Sequence, residues 1–347
     1  PYDDHGHGTH SMGIILGGDG LGPFDRDIGV APGAKFVACK CFNSNGSGYT
    51  SWIHTCFQKI AEWKSQGVQI VACSNSWGST NTTSTEYWSD CMNWRNLGII
   101  PVFEIGNSGP SSGTAGTPGN FPIVIGVGAT DSNDNIGNPS SRGPAPNQPP
   151  WNNTQYWPRP DWNRIKPNIS APGYYVISSI PGGNYGSWSG TGRACPHVVG
   201  AIAILYRKNP NLTFTDVYNL LLNYADHPPQ GAPYPNNNYG WGRLNCYQSL
   251  IHTPVGVSES KKLITPYIYP GIFKDKLYIK YIFPPFEKAK IKIYNITGIK
   301  IKEIPLNSNE KTISGKYIFE EKIPQGIYFI KFETKNYNKN LKVIYIK

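Results

Sequence analysis

The sequence predicts an α/β domain built on a mostly parallel sheet, followed by a small β-sandwich. Three observations support this prediction. The chain has 347 residues, enough for two domains of ordinary size. Up to about residue 250, short apolar segments alternate with amphipathic segments of helical period. Beyond that point Ile, Tyr, Phe and Lys alternate between Gly, Pro and Asn, a pattern typical of antiparallel strands.

Up to about residue 250, predicted strands alternate with predicted helices. Apolar runs predict strands, and apolar residues at helical spacing predict helices. The predicted strands are 35–42, 68–73, 99–104 and 121–127, and the predicted helices are 51–64, 88–97, 198–207 and 214–224. Strands separated by helices of this length form parallel sheets through right-handed crossovers. We therefore expect chemistry in the loops beyond the carboxyl ends of the strands.

The last part has no helical period. Its predicted strands are 276–283, 289–296, 316–320 and 327–333. These segments predict a β-sandwich over residues 264–347, joined to the α/β domain of residues 1–252 by a linker at 253–263. The linker is rich in Pro, Gly, Ser and charge.

The net charge of +10 comes entirely from this last part. Residues 1–250 carry 14 basic and 14 acidic side chains, whereas residues 251–347 carry 18 Lys and 8 acids. A basic module could bind nucleic acid, but in 290–294 the lysines alternate with isoleucines, as on a strand with one solvated face. We therefore predict no nucleic-acid partner. No run of about 18 apolar residues exists, so no transmembrane segment is predicted.

The seven cysteines leave two interpretations open. No Cys-x-x-Cys pair occurs, so the sequence does not predict a zinc site. Small buried thiols are the favoured interpretation, with one or two disulfides as the alternative if the protein is secreted. The cysteines are Cys39, Cys41, Cys56, Cys73, Cys91, Cys195 and Cys246.

Three segments contain residue types that carry chemistry. They are His-Gly-His-Gly-Thr-His at 5–10, Ile-Gly-Asn-Ser-Gly-Pro at 105–110 and Ser-Gly-Thr-Gly-Arg-Ala-Cys-Pro-His-Val at 189–198. Each alone has an ordinary interpretation: a histidine metal cluster, a turn, and a helix opened by proline. The histidines lack further ligands at suitable spacing, so no metal site is predicted.

Taken together and in this order, the three segments resemble the subtilisin-like serine peptidases, and among them the bacillopeptidase F-like branch. The resemblance covers about residues 3–250. Further matching blocks are 29–34, 75–78, 124–131, 140–144 and 166–173. It implies the subtilisin-like three-layer fold and hydrolysis of peptide or protein substrates through an acyl-enzyme. It implies no required cofactor and leaves structural calcium open.

The resemblance assigns the reaction to three positions. His7 matches the general base, Asn107 matches the asparagine of the oxyanion hole, and Gly192 stands at the position of the nucleophilic serine. The family reads Gly-Thr-Ser-Met-Ala where this chain reads Gly-Thr-Gly-Arg-Ala at 190–194. Glycine has no hydroxyl, so the chain as written is expected to be inactive.

The resemblance also implies a substrate groove. Ser76, Trp77 and Gly78 match the strand edge that pairs with the substrate backbone. Ile105 and Gly106, together with the preceding glutamate, match the wall of the specificity pocket, where the family has smaller residues.

Two further departures bear on activity. The family's aspartate precedes the histidine by several tens of residues, and Asp3 and Asp4 lie too close to His7 to replace it. We therefore expect an N-terminal portion to be missing. Arg193 replaces a methionine and places a charge at a normally buried site. The alternative to an endopeptidase is a pseudoprotease that presents a peptide-binding surface.

The last part resembles the type IX secretion C-terminal sorting domain. The matching segments are 269–273, 291–298, 324–329 and 342–347. This resemblance implies a secretion machinery as partner and a secreted or cell-surface location in a bacterium. A generic sandwich that binds carbohydrate or a surface is the alternative.

Overall fold

The computed structural model describes residues 2–18, 28–159, 163–256, 267–269, 272–274, 277–283, 288–307, 313–319, 323–334 and 338–346. The chain divides into two compact units, Pro1–Gly256 and Val257–Lys347. This division falls within the predicted linker, of which residues 257–263 lie outside the described ranges.

The first unit is built on a parallel sheet of four strands in sequential order. The strands are β1 (Ala72–Asn75), β2 (Ile100–Glu104), β3 (Ile125–Thr130) and β4 (Ile169–Pro172). Every neighbouring pair is parallel, with Val102 opposite Ile125 and Val127 opposite Ile169. A two-stranded antiparallel hairpin, β5 (Val176–Ile180) with β6 (Asn184–Trp188), follows β4.

Six α-helices accompany these strands in the described part of this unit. Helix α4 contacts all four strands of the sheet, whereas α1 packs against α4 and β5. The helices are α1 (His7–Leu16), α2 (Thr50–Ser65), α3 (Trp88–Asn96), α4 (Thr191–Lys208), α5 (Phe214–Asn223) and α6 (Cys246–His252). The predicted subtilisin-like arrangement of helices around a parallel sheet is confirmed.

The core lies between the sheet and its helices. Phe103 of β2 is fully buried, as are Phe121 and Trp151, and Trp94 of α3 is 2% exposed. Burial of one such side chain contributes about 1.5–3 kcal/mol. This core holds β2 and the amino end of α4 in fixed positions, and both contribute to the site described below.

Several predicted elements differ from the structure. Residues 35–42 form no strand, and no backbone ladder joins them to another described segment. Without a partner strand, an apolar run stays extended but unpaired. The strand predicted at 121–127 begins only at Ile125, because the preceding apolar residues form a buried turn. Helix α4 begins at Thr191, seven residues before the predicted start, with Pro196 inside it.

The second unit contains two sheets. The strands β11 (Lys300–Asn307), β10 (Lys288–Asn295), β13 (Gly326–Thr334), β14 (Asn338–Tyr345) and β8 (Ile272–Phe273) form one sheet in that order, antiparallel except for the β14–β8 pair. The other sheet has β12 (Ile313–Phe319), β9 (Leu277–Phe283) and β7 (Tyr267–Tyr269), again antiparallel.

The predicted alternation of lysine and isoleucine is visible in β10. Ile291 and Ile293 are buried, while Lys290 and Lys292 pair with glutamates of the neighbouring strands. Lys290 and Lys292 therefore lie on a charge-paired face opposite the buried isoleucines. None of the helices in the described ranges is long and apolar enough to cross a membrane.

Candidate active site

The segment before α1 is organised by one carboxylate. Asp3 accepts hydrogen bonds from the backbone amides of Gly6 at 2.8 Å and Thr9 at 2.7 Å, and from the Thr9 hydroxyl at 2.7 Å. Partial burial opposes ionisation of Asp3, but these bonds outweigh it and hold its pKa well below the usual range. Asp3 therefore fixes the entry into α1, and its carboxylate is engaged with the backbone there.

His7 is the first residue of α1 and is half-buried. Burial lowers the pKa of His7 to about 4, and the positive charge of Arg193 and the neighbouring His5 act in the same direction. The imidazole is consequently neutral at pH 7. A neutral imidazole can accept a proton, as a general base must.

Asn107 is joined directly to the amino end of α4. Its side-chain oxygen accepts a hydrogen bond from the Thr191 backbone amide at 2.9 Å, and the Thr191 hydroxyl lies 3.1 Å from the same atom. Gly190 has a φ of 131°, and a Cβ atom there would lie 3.2 Å from the Asn107 oxygen. Asn107 therefore contacts Thr191, the residue next to Gly192. The turn into α4 brings these two sequence-predicted positions close together.

A carboxylate faces the position where the family carries its nucleophile. A Cβ atom on Gly192 would lie 3.0 Å from Oε2 of Glu104 and 3.3 Å from Cβ of Ser76. The same Oε2 accepts a hydrogen bond from the Thr191 hydroxyl at 3.1 Å, and that hydroxyl also lies 3.1 Å from the Asn107 side-chain oxygen. Glu104 and Asn107 are therefore linked through Thr191.

Opposing effects act on the pKa of the Glu104 carboxyl group. Burial raises the pKa of Glu104, while the bonds from Thr191 and Asn107 and the charge of Arg193 oppose that rise. The carboxyl is only partly buried by its accessible surface. Glu104 therefore places an acidic side chain at the centre of the candidate site.

Arg193 is the cation of this site. It is 5% exposed, its Nη1 atom has no hydrogen-bond partner among the described residues, and its guanidinium lies 5.1 Å from the ring centre of Trp188. Burial lowers the pKa of Arg193 to about 10, although Glu104 opposes this. On the same indole ring His10 stacks at 4.6 Å. Trp188 therefore links the first turns of α1 and α4.

Neighbouring hydroxyl and thiol groups are engaged elsewhere. Ser189 accepts a hydrogen bond from the Tyr175 backbone amide at 3.0 Å. The Thr191 hydroxyl contacts Glu104 and Asn107. The Cys195 thiol is buried against the Val102 carbonyl, and burial raises its pKa to about 12. Within the described part of the chain, none of the three forms a hydrogen bond with His7.

The groove segment Ser76–Gly78 continues directly from β1. Across the described ranges, no backbone hydrogen bond joins these three residues to another segment. The Trp77 side chain packs into an aromatic cluster with Phe57 and Phe103, so its contribution to a ligand would come from the backbone. Unpaired amides and carbonyls of this kind can accept an added strand.

The predicted pocket wall is more closed than the sequence indicates. The Ile105 side chain is fully buried, so only its backbone could touch a ligand. Gly106 has a φ of 105°, and a Cβ there would lie 2.9 Å from the Ser141 hydroxyl. This close approach requires glycine. Glu104 is then the residue of this wall that presents a functional group.

No metal centre is found among the residues that the structure describes, since no group of three or more His, Cys, Asp or Glu side chains there could hold an ion. His10, one of the three histidines of the first motif, is fully buried, with Nε2 3.0 Å from the Gly186 carbonyl. Sequence reasoning missed the position of the Glu104 carboxylate and the role of Trp188. A charged residue ending an otherwise apolar strand was the available signal for the first.

Comparisons with known proteins agree with this arrangement. Residues 1–242 match the Subtilase family, and residues 267–347 match the Secretion system C-terminal sorting domain. The chain is 32% identical to bacillopeptidase F of Bacillus subtilis (strain 168) over 277 residues, covering 75% of this chain and 18% of that protein. It is 31% identical to subtilisin E of the same organism over 246 residues, covering 70% and 55%. The structure of sphericase aligns with a TM-score of 0.60 at 29% identity, covering 70% of this chain and 78% of that one.

Proposed function

The chain belongs to the subtilase family of serine peptidases, and on that premise we propose that it holds a peptide or protein segment in the family's groove without cleaving it. It carries a type IX secretion sorting domain and is a secreted or cell-surface bacterial protein. The observation that carries the proposal is the glycine at 192, faced by the Glu104 carboxylate at the place where a nucleophile would stand.

The missing hydroxyl decides the chemistry. In the serine-peptidase reaction a hydroxyl attacks the scissile carbonyl, an imidazole accepts its proton, and hydrogen-bond donors stabilise the oxyanion. His7 is suited to the second role because its imidazole is neutral at pH 7. Without the nucleophile no acyl-enzyme forms, and removing the serine of a subtilase costs roughly a million-fold in rate.

The amide of Asn107 supports the same conclusion. An oxyanion donor must point an N–H at the position where charge develops. Here the Thr191 hydroxyl lies 3.1 Å from both the Asn107 oxygen and Oε2 of Glu104, so an acidic group stands beside the amide, and its carboxylate form would repel a developing negative charge. The site is therefore arranged for binding, with two features that oppose acyl transfer.

Peptide binding is expected through the backbone of Ser76–Gly78. The test is fluorescence anisotropy with a dye-labelled unstructured peptide added to the purified chain. Gly78→Pro removes one N–H of this segment and is expected to weaken binding at least about tenfold. Gly78→Ala keeps the N–H, although its Cβ would lie 3.1 Å from the Thr117 carbonyl oxygen, and is the matched control. Equal binding by both folded variants would contradict the proposal.

A second candidate function is endopeptidase activity that returns when the hydroxyl is restored. The survival of His7 and Asn107 at their family positions favours it. Gly192→Ser would be expressed together with the aspartate-bearing segment that subtilases place before the histidine block. Covalent labelling by a fluorophosphonate, absent in the Gly192 chain, would identify an endopeptidase scaffold. Peptide binding without labelling would support the pseudoprotease.

A further inference from the structure

Three cysteines lie where the segment 35–42 faces α2. Cys39 and Cys41 lie two positions apart on the extended segment 35–42, where alternate side chains share a face. Cys56 lies in α2. Lys40, Phe42 and Cys56 line one cavity, so α2 faces this segment at Cys56. The Cys56 thiol is also the largest influence on the pKa of both Cys39 and Cys41. The fold therefore places one helix thiol beside the two thiols of the segment.

The extended segment depends on side-chain contacts for its position. In the described ranges it has no backbone ladder with a neighbour, and Phe36 and Val37 are 57% and 41% exposed. Its anchors are the packing of Cys39, Cys41 and Phe42 against the core. A covalent link to α2 would add a fixed point to a segment that has no backbone ladder with the other described residues.

The three thiols are accessible to a reagent. Cys39, Cys41 and Cys56 are all partly exposed, in contrast to the buried Cys91 and Cys195. A cavity of about 500 Å³ opens beside Cys56 and is also lined by Lys40, Phe42 and Trp52. Partly exposed thiols oxidise, whereas buried ones are inert.

The destination of the protein favours oxidation. Its sorting domain directs it out of the cytoplasm. In oxidising surroundings outside the cytoplasm, neighbouring thiols form disulfides. A shared metal ion is the other chemistry open to three thiols. However, the described residues contain no group of three or more cysteines, histidines or acids placed as ligands of one ion.

We propose that Cys56 forms an intrachain disulfide with Cys39 or Cys41, fastening the extended segment 35–42 to α2 in the exported protein. The oxidant is a small disulfide such as oxidised glutathione. One thiolate of the cluster attacks its S–S bond, forming a mixed disulfide and releasing one glutathione thiol. A second thiolate then attacks the cluster sulfur of that mixed disulfide and releases the second glutathione. Two protein thiols are oxidised and one external disulfide is reduced to two thiols.

The Cys56 thiol lowers the pKa of Cys41, which favours its thiolate as the attacking group. In either disulfide, with Cys39 or with Cys41, Cys56 of α2 is the other partner. The third thiol of the cluster remains reduced beside the bond. The proposal is independent of whether the groove binds or cleaves peptides.

The test uses the folded, reduced full chain treated with oxidised glutathione. Trypsin cleaves after Lys35, Lys40 and Lys59, so Cys39 falls in peptide 36–40 while Cys41 and Cys56 both fall in peptide 41–59. A Cys41–Cys56 bond makes peptide 41–59 lighter by two hydrogens, and a Cys39–Cys56 bond joins the two peptides. Either result supports the proposal. Alkylated Cys56 in the oxidised protein, or Cys56 linked to any other residue, would overturn it.

Thiol counts after unfolding give a second readout. The wild-type chain is expected to lose two of its seven thiols, and its unfolding temperature to rise by roughly 5–10 °C over the reduced form. Cys56→Ser should lose none and show no rise. Cys246→Ser, which removes a partly exposed cysteine outside the cluster, should behave like wild type. Equal thiol loss in Cys56→Ser and wild type would refute the assignment.

Discussion

Oε2 of Glu104 lies 3.0 Å from the point that a Cβ atom on residue 192 would occupy. A serine introduced at this position would meet a carboxylate, and its hydroxyl would have an acceptor other than His7. A side chain at position 192 and the Glu104 carboxyl would therefore be in direct contact, so a substitution at one changes the surroundings of the other. Variants at position 192 should be made both with and without Glu104.

The first prediction concerns this pair. Gly192→Ser alone is expected to label slowly with a fluorophosphonate, because Glu104 competes for the new hydroxyl and places an acidic group beside the Asn107 amide. Adding Glu104→Ala should raise the labelling rate by about 10²-fold, the usual worth of one oxyanion donor. Both variants carry the aspartate-bearing segment. Equal labelling rates would show that Glu104 does not obstruct the site.

The second prediction concerns Arg193. Its guanidinium is buried with one nitrogen unpaired among the described residues, so Arg193→Met should stabilise the fold. In a Glu104→Ala background the expected gain is about 1–3 kcal/mol in the free energy of unfolding. In the wild-type background the gain should be smaller, because Glu104 then loses its neighbouring cation. Urea denaturation of the four chains measures the coupling. A loss of stability in the Glu104→Ala background would contradict it.

The third prediction concerns a buried lysine. Lys166 is fully buried, and its Nζ donates to the carbonyls of Gly119 at 3.0 Å, Phe121 at 2.7 Å and Val124 at 3.2 Å and to the Asn168 side chain at 2.7 Å. Lys166→Met would leave these oxygens without their donor and should cost roughly 3–5 kcal/mol in unfolding free energy.

Lys59→Met is the matched control for that experiment. Lys59 is exposed, pairs with Glu62 and lies 5.7 Å from the ring centre of Trp63 on the surface of α2, so its loss should change stability by less than about 1 kcal/mol. Chemical denaturation followed by tryptophan fluorescence compares the two variants. Similar stability changes would show that the carbonyls around Lys166 do not depend on it.

The fourth prediction is a pH dependence at the entry into α1. The pKa of Asp3 is lowered in the folded chain, so its stabilisation is complete above the unfolded value of about 3.9 and is lost as pH falls below it. Asp3→Asn should therefore lower stability by about 1 kcal/mol at pH 6. The difference from wild type should shrink between about pH 4 and pH 2. Thermal unfolding across this range tests it, and a constant difference would exclude Asp3 as its origin.

Much of the fold follows from periodicity. The apolar spacing in 51–64 and 88–97 predicted α2 and α3 to within one residue at each end. The hairpin β5–β6 was missed because its second strand, Asn184–Trp188, has no apolar alternation. The early start of α4 was missed because Pro196 resembles a helix opening. The helix begins earlier because Asn107 holds the Thr191 amide, a contact that no local pattern contains.

In the candidate site, too, some features follow from local sequence and others depend on packing. Motif order predicts His7, Asn107 and Gly192 as site positions, since each lies in a contiguous block of sequence, and this assignment stays a prediction. The direction of the Glu104 carboxylate and the stacking of His10 and Arg193 on Trp188 depend on packing between distant elements. Such contacts have no periodic signature, and only the assembled fold brings them together.

Lys166 has one last consequence. Oxygen cages of this composition are the kind that proteins elsewhere fill with dissolved ions, which come and go with the surroundings. Here the donor nitrogen is tethered to the backbone by its own side chain. A chelator cannot remove it, so this junction between residues 119–124 and the start of β4 keeps its donor in any solution.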